Sequence, residues 1–122
     1  MVLDAGGLIA LERGDRRLLT LLDLAAETSA SVILPASVLA QVTRRPAVQA
    51  RIMRLVRQPT TTTVPLDRRE SIRVGELLAS SGTSDIADAH VVVCARRAGQ
   101  PVVTSDPEDL RHLDPALTLI VV

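Results

Sequence analysis

Four aspartates stand where their carboxylates could hold a metal ion together. Asp4 and Asp106 each end a short apolar segment, and Asp85 and Asp88 stand at the start of a helical run. In an open α/β sheet, ligands bind beyond the carboxyl ends of the strands, so acids at these places can meet. Mg²⁺ and Mn²⁺ prefer oxygen ligands, and a water held by such an ion is an effective nucleophile. The predicted chemistry is metal-dependent hydrolysis.

Each of these acids also has a structural interpretation. Asp85 and Asp88, three residues apart, share one face of a first helical turn. There a negative charge stabilises the helix through its dipole, without any metal. For Asp85 both interpretations stay open. Asp88 is followed by apolar residues, so its desolvation would be costly without a cation, and we favour the metal there. Asp4 and Asp106 could each cap the helix that follows its strand.

The other metal-binding residue types offer a weaker pattern. His90 and His112 lack the His-x-x-x-His spacing of a zinc site, so zinc is not expected. Cys94 lies in an apolar run, which predicts a buried side chain. As the only cysteine it cannot form an internal disulfide, which fits a reducing cytoplasm.

Short apolar segments alternate with amphipathic ones along the chain. This alternation predicts an α/β fold in which a parallel β-sheet is flanked by helices on both faces. A Gly6-Gly7 pair after the first strand is expected to permit a tight turn into the first helix. The predicted strands are 2–3, 32–34, 61–64, 102–104 and 117–122, and the predicted helices are 8–12, a segment capped by Asp15, 36–43, 47–56, 67–78, a segment beginning at Asp85 and 107–113.

Length and composition narrow the class of protein. A chain of 122 residues predicts one domain, and a hydrophobic fraction of 47% is enough for its core. Aromatic residues are absent, which excludes nucleic-acid platforms that stack bases on aromatic rings. A net charge of zero gives no overall attraction to nucleic acid or membrane, although arginines cluster between residues 44 and 69. No apolar run approaches the ~20 residues of a membrane span, so no membrane association is expected.

Four segments, in order, resemble a known family. They read VLDAGGLIALE, LPASVLAQV, DAHVVVCARRAG and VVTSDPEDL. The chain resembles the PIN-domain ribonucleases, most closely the VapC-type toxins of bacterial toxin–antitoxin pairs, over nearly its whole length. The resemblance implies a single PIN-like domain over residues 1–122, Mg²⁺- or Mn²⁺-dependent cleavage of RNA, a homodimer, and inhibition by a cognate antitoxin. By the same resemblance Asp4, Asp88 and Asp106 are metal ligands, and Asp85 and Glu108 hold outer waters of the metal.

One position departs from the family. Gln41 stands where most members carry a glutamate, and an amide can orient a metal-bound water but brings no negative charge. We therefore expect weaker metal binding, with Gln41 still a catalytic residue beside the three acids. Glu12 could replace the missing charge if it pointed inward, but we expect it at the surface.

The sequence thus favours a cytoplasmic, metal-dependent endoribonuclease, the toxin of a type II toxin–antitoxin pair. The alternative is a catalytically weak or inactive PIN-like module that binds RNA or a protein partner. Gln41 favours the alternative, whereas the three retained acids favour the enzyme. An antitoxin is expected to occupy a groove beside Leu39, Val42 and Ile52, with an acid directed at Arg44 or Arg51.

Overall fold

Seven helices and five strands make up residues 1–122 in the computed structural model. The strands form one sheet in the order β3-β2-β1-β4-β5, and every neighbouring pair is parallel. The predicted α/β fold with a parallel sheet flanked by helices is confirmed. In chain order the elements are β1 (Val2–Leu3), α1 (Ala5–Arg13), α2 (Arg16–Glu27), β2 (Val32–Pro35), α3 (Ala36–Val42), α4 (Ala50–Val56), β3 (Thr61–Val64), α5 (Arg68–Ser81), α6 (Ile86–Ala98), β4 (Val102–Thr104), α7 (Pro107–Leu113) and β5 (Leu119–Val121).

Several predicted boundaries were wrong by a turn or less. Helix α1 begins at Ala5 rather than residue 8, and α5 continues to Ser81 rather than ending at residue 78. Helix α4 begins at Ala50 rather than residue 47, because the N–H groups of Val48 and Gln49 both donate to the Arg45 carbonyl in a turn. Strand β3, strand β4 and helix α7 have the predicted bounds.

The two central strands, β1 and β4, are sealed in the core. Val2, Leu3, Val102 and Val103 are all fully buried within a cluster of 24 hydrophobic residues. Burying a side chain of this size contributes about 1.5–3 kcal/mol, so a shift of either strand along the other would be costly. The register therefore fixes where each strand ends, and with it the position of the acid that follows.

The glycine pair after β1 serves close packing, which corrects the prediction of a special turn. Gly6 and Gly7 lie inside α1, and neither has a positive φ. A Cβ on Gly7 would lie 2.8 Å from the carbonyl oxygen of Val103, and one on Gly6 would lie 2.2 Å from Ser105 Oγ. The missing side chains let α1 lie directly against the end of β4. None of the seven helices combines the length and apolarity that a membrane crossing requires.

Candidate metal centre

Asp4 and Asp106 leave the sheet at the same edge from adjacent strands. Strands β1 and β4 are paired in parallel with Leu3 opposite Val103, so their carboxyl ends coincide. Asp4 is only 5% exposed, and its Oδ1 accepts the N–H of Gly7 at 2.7 Å, which caps α1. Burial raises the pKa of Asp4, and the Asp106 charge adds to the rise, while hydrogen bonds from Thr104 and Gly7 oppose it. The capping interpretation of Asp4 is therefore right, and it does not remove the carboxylate from the cluster.

Thr104, the last residue of β4, lies between these two acids. Its side chain is fully buried, and its Oγ1 accepts the backbone N–H of Asp106 at 3.0 Å. The same hydroxyl acts on Asp4 to lower that carboxyl's pKa. Asp106 itself makes no side-chain cap on α7, so its carboxylate is free to face a ligand. Sequence reasoning treated Thr104 only as the end of a strand, and no sequence pattern singled it out.

Asp88 on α6 is the centre of the acidic cluster. Its pKa is raised from 3.8 to about 6, most of all by burial and then by the charges of Asp85, Asp109, Asp4 and Asp106, in that order. Four carboxylates from three parts of the chain thus act on one half-buried carboxyl group. The structure brings Asp4, Asp85, Asp88 and Asp106 into one neighbourhood. Asp85 is also the N-cap of α6, because its Oδ1 accepts the Asp88 N–H at 2.9 Å.

Asp109 belongs to this cluster, whereas Glu108 does not. Asp109 acts on Asp88 and lines a 270 Å³ cavity with Asp85 and Asp88. Glu108 is instead exposed and pairs with Arg111 at 2.8 Å, so the outer-water role that we gave to Glu108 fits Asp109 better. The sequence held only a spacing that fits this placement. Asp109 lies three residues after Asp106 and therefore shares its side of α7.

No basic side chain neutralises the cluster. Three ion pairs join charged side chains and a fourth contact joins His90 to Glu70, and none of them involves Asp4, Asp85, Asp88, Asp106 or Asp109. Crowded carboxylates without a basic partner repel one another, and this repulsion adds to the effect of burial in raising the pKa of Asp88. An all-oxygen set of this kind is what Mg²⁺ and Mn²⁺ bind, so the residues fit such an ion.

Gln41 lies at the side of the cluster, on the exposed surface of α3. It lines a 400 Å³ cavity with Ala5 and Glu12, and a 560 Å³ cavity with Asp85. It therefore stands between the residue after Asp4 and the cap of α6. Its amide makes no hydrogen bond within the chain, which leaves it free for a ligand or a water.

Glu12 does not supply the charge that Gln41 lacks. Its Oε2 accepts the N–H of Ile52 at 3.1 Å, in the first turn of α4, where a negative charge stabilises the helix through its dipole. It is half-buried rather than exposed as expected, and its charge is not among those that act on Asp88. The acid of the cluster that shares a cavity with Gln41 is Asp85, in the 560 Å³ cavity.

Comparison with known proteins identifies the family. A sequence model described as "PIN domain" matches residues 1–114, and the chain belongs to the PIN-domain family, as the resemblance predicted. The fold is similar to that in a crystal structure of VapBC2 from Rickettsia felis bound to a DNA fragment from their promoter, with a TM-score of 0.72 and 16% identity, covering 99% of this chain and 97% of that one. It is also similar to FitAcB from Neisseria gonorrhoeae, with a TM-score of 0.63 and 16% identity, covering 98% and 95%. A search of curated protein sequences finds no significant match.

Proposed function

We propose that this chain is a metal-dependent endoribonuclease and the toxin of a type II toxin–antitoxin pair. The observation that carries the proposal is the convergence of four carboxylates on Asp88 with no basic side chain to neutralise them. Membership of the PIN-domain family supports a nuclease, and the fold it shares with VapBC2 supports the toxin of a pair. A pure binding module has no need of such a cluster.

The residues divide the work between holding the ion and orienting the reactants. Asp4, Asp88 and Asp106 would hold Mg²⁺ or Mn²⁺, and Asp85 and Asp109 would hold its outer waters. When bound, the ion would lower the pKa of a water and stabilise negative charge on a phosphate oxygen. Thr104 keeps the main chain at Asp106 next to Asp4 through the hydrogen bond described above.

Substrate placement falls to side chains around the cluster. The 270 Å³ cavity beside Asp85, Asp88 and Asp109 gives a phosphodiester room to approach. Gln41 would orient the attacking water with its amide, and exposed arginines would bind the RNA backbone without reading its sequence. The direct test is to incubate the purified chain with a mixed RNA pool with Mn²⁺ or with a chelator. Cleavage only with metal is expected, and intact RNA under both conditions would contradict the proposal.

Gln41 also supports a second candidate, a PIN-like module that binds RNA or a protein partner and cleaves weakly or not at all. If the missing charge is what limits activity, Gln41→Glu should tighten Mn²⁺ binding about tenfold and raise cleavage at low metal. One Coulomb contact is worth about 4 kcal/mol at intermediate dielectric. Desolvation and repulsion by the other acids remove most of it, and about 1.4 kcal/mol is enough for a tenfold gain. The measurement is a Mn²⁺ titration of RNA cleavage for both forms.

The Gln41→Glu experiment separates the two candidates. Asp4→Ala gives the level of cleavage without a metal site, and Gln58→Glu, on a turn beyond α4, adds the same charge elsewhere. If metal binds more tightly to Gln41→Glu while both forms stay at the Asp4→Ala level of cleavage, the binding module is the better description. If Gln58→Glu gives the same gain, the effect is one of net charge rather than of position.

For the partner, we propose an antitoxin segment on the surface formed by α1, α3 and α4, and a homodimer as the unit that binds it. Val42 and Ile52 line the 400 Å³ cavity with Arg44 at its edge, as expected, but Leu39 does not. Arg51 lies over a second cavity of 260 Å³, lined by apolar residues of α2 and α4. Apolar lining with arginine at the edge suits a segment that carries both apolar and acidic side chains.

Reversing both charges should weaken antitoxin binding by at least about a hundredfold. Arg44→Glu with Arg51→Glu removes two hydrogen-bond donors that could meet carboxylates, and bonds to charged groups contribute about 1.5–3 kcal/mol each. Calorimetric titration of the antitoxin into wild type and double variant measures the loss. Arg68→Glu with Arg69→Glu, at the start of α5, makes the same change in net charge and should leave the affinity as it was. Equal affinity of the Arg44 and Arg51 variant and wild type would exclude this surface.

A further inference from the structure

A second group of metal-binding side chains lies away from the acidic cluster, between α5 and α6. His90 and Cys94 are one turn apart on α6, and Glu70 faces them from the first turn of α5. All three are buried, with exposed fractions of 0%, 2% and 4%. One nitrogen, one sulfur and one oxygen atom from these side chains lie within 4.8 Å of one another.

The geometry of this group is that of ligands around an ion. Glu70 Oε1 lies 3.2 Å from His90 Nε2 and 3.6 Å from Cys94 Sγ. Zinc bonds of about 2.0 Å to N and O, and about 2.3 Å to S, put tetrahedral neighbours about 3.3 Å (N to O) and about 3.5 Å (S to O) apart. His90 Nε2 is buried and has no assigned hydrogen-bond partner, although Glu70 Oε1 lies only 3.2 Å away. Two atoms that share an ion lie side by side in this way.

The atoms that do not face the centre are already held. His90 Nδ1 is hydrogen-bonded to Ser37 Oγ at 2.7 Å, which orients the ring. Glu70 Oε2 is paired with Arg97, which leaves Oε1 for the centre. Metal-binding histidines and carboxylates usually have such outer partners, which fix the ring and the carboxylate before the ion arrives.

We propose that His90, Cys94 and Glu70 form a zinc site that ties α5 to α6. Imidazole and thiolate are ligands that zinc favours, and one thiolate with one carboxylate balances its two charges. In the metal-free chain the Cys94 thiol donates to Glu70 Oε1. On binding, the S–H bond breaks, a Zn–S bond forms, and the proton leaves to solvent, with no change of oxidation state. The three protein ligands leave one position of a tetrahedral ion for a water.

The thiol makes the site selective for thiophilic ions. Burial and the Glu70 charge raise the pKa of Cys94 to about 12, so the thiol keeps its proton at neutral pH unless an ion with high affinity for sulfur displaces it. Zn²⁺ and Cd²⁺ do so, whereas Mg²⁺ and Mn²⁺ prefer oxygen. The site is therefore distinct from the carboxylate cluster in both position and ion. The spacing of His90 and His112 argued against a zinc site built on two histidines. The site proposed here uses only His90, with Cys94 on the same helix and Glu70 on α5.

Cadmium provides a direct test, because Cys94 is the only cysteine and any thiolate-to-cadmium absorption band must come from it. One equivalent of Cd²⁺ added to the folded, full-length chain should give this ultraviolet band. A chain first loaded with one equivalent of Zn²⁺ should not give the band, because the single site is occupied. Cys94→Val, which keeps the packing, should lower zinc affinity at least a hundredfold. Asp106→Asn, in the acidic cluster, should leave both the band and the zinc affinity unchanged.

Outer partners give the second measurement. Ser37→Ala should weaken zinc binding about tenfold to a hundredfold, which is the usual effect of losing such a partner. His112→Ala, which removes the other histidine, should have no effect. The absence of the cadmium band in the folded wild type would overturn the proposal and leave these residues a metal-free polar network only. Equal zinc affinity of wild type and Cys94→Val would overturn it as well.

Discussion

Asp4→Asn is expected to lower metal-dependent RNA cleavage at least a hundredfold while the protein stays folded. The side chain is buried beside Asp106 and contributes one of the charges that act on Asp88. A bound ion stabilises several kcal/mol of transition-state charge, and a hundredfold loss corresponds to about 2.7 kcal/mol. Asparagine keeps an oxygen that can accept the Gly7 N–H, and it is as good an N-cap as aspartate, so only the charge changes.

Asp15→Asn is the matched control for this loss. Asp15 caps α2 as Asp4 caps α1, with Oδ1 accepting the Leu18 N–H at 2.9 Å, but it is not among the acids that act on Asp88. Cleavage should therefore stay at the wild-type rate in Asp15→Asn, and circular dichroism should show both variants folded. If Asp4→Asn cleaves RNA at the wild-type rate, the carboxylate cluster is not the site of catalysis.

Mg²⁺ or Mn²⁺ is expected to raise the free energy of unfolding by about 2.7 kcal/mol at a hundredfold excess over the dissociation constant. For a chain of this length that gain raises the melting temperature by about 10 °C. The physical reason is that the ion relieves the repulsion among acids that have no basic partner. Asp88→Asn should lose most of the gain, because it removes the carboxylate on which the others converge. Thermal melts with and without millimolar metal measure both.

The stability of the metal-free protein should depend on pH in a direction set by Asp88. Its folded-state pKa is raised from 3.8 to about 6, so the folded state holds the proton more tightly than the unfolded state does. The carboxyl group therefore lowers the free energy of unfolding as pH rises through this window, and the loss is complete above it. After discounting for solvent screening of this half-exposed group, the loss is about 1 kcal/mol.

Asp88→Asn tests the pH dependence and the metal effect together. Without metal the variant should be more stable than wild type at neutral pH, and the two should approach each other in acid. The stabilisation of the wild type by metal should in turn become smaller at pH values below the raised pKa of Asp88, because protons compete with the metal for the carboxylate. Glu108→Gln, at the exposed pair with Arg111, removes a charge outside the cluster. It should leave the stability at neutral pH, the pH dependence of stability and the stabilisation by metal the same as in wild type. A melting temperature indifferent to metal in the wild type would count against a site here.

The sequence by itself determined the architecture and four members of the cluster, Asp4, Asp85, Asp88 and Asp106. Apolar segments such as 102–104 are too short and too uniformly apolar for surface helices, and buried parallel strands are where such segments fit. Parallel strands must end on one side of their sheet, so acids directly after β1 and β4 had to lie close together. The aspartates before α2 and α5 were recognisable as caps because N-cap preferences are local.

Only the tertiary structure decided what depends on contacts between distant elements. It placed Asp109 rather than Glu108 at the cluster, because the direction of α7 after Pro107 sets which side chain faces α6. It gave Gly6 and Gly7 a packing role, since the neighbour that excludes a side chain is the end of β4. It also brought Glu70 against His90 and Cys94. Spacing along a chain reports which residues share a helix face, but which helix packs on that face is fixed only when the whole core assembles.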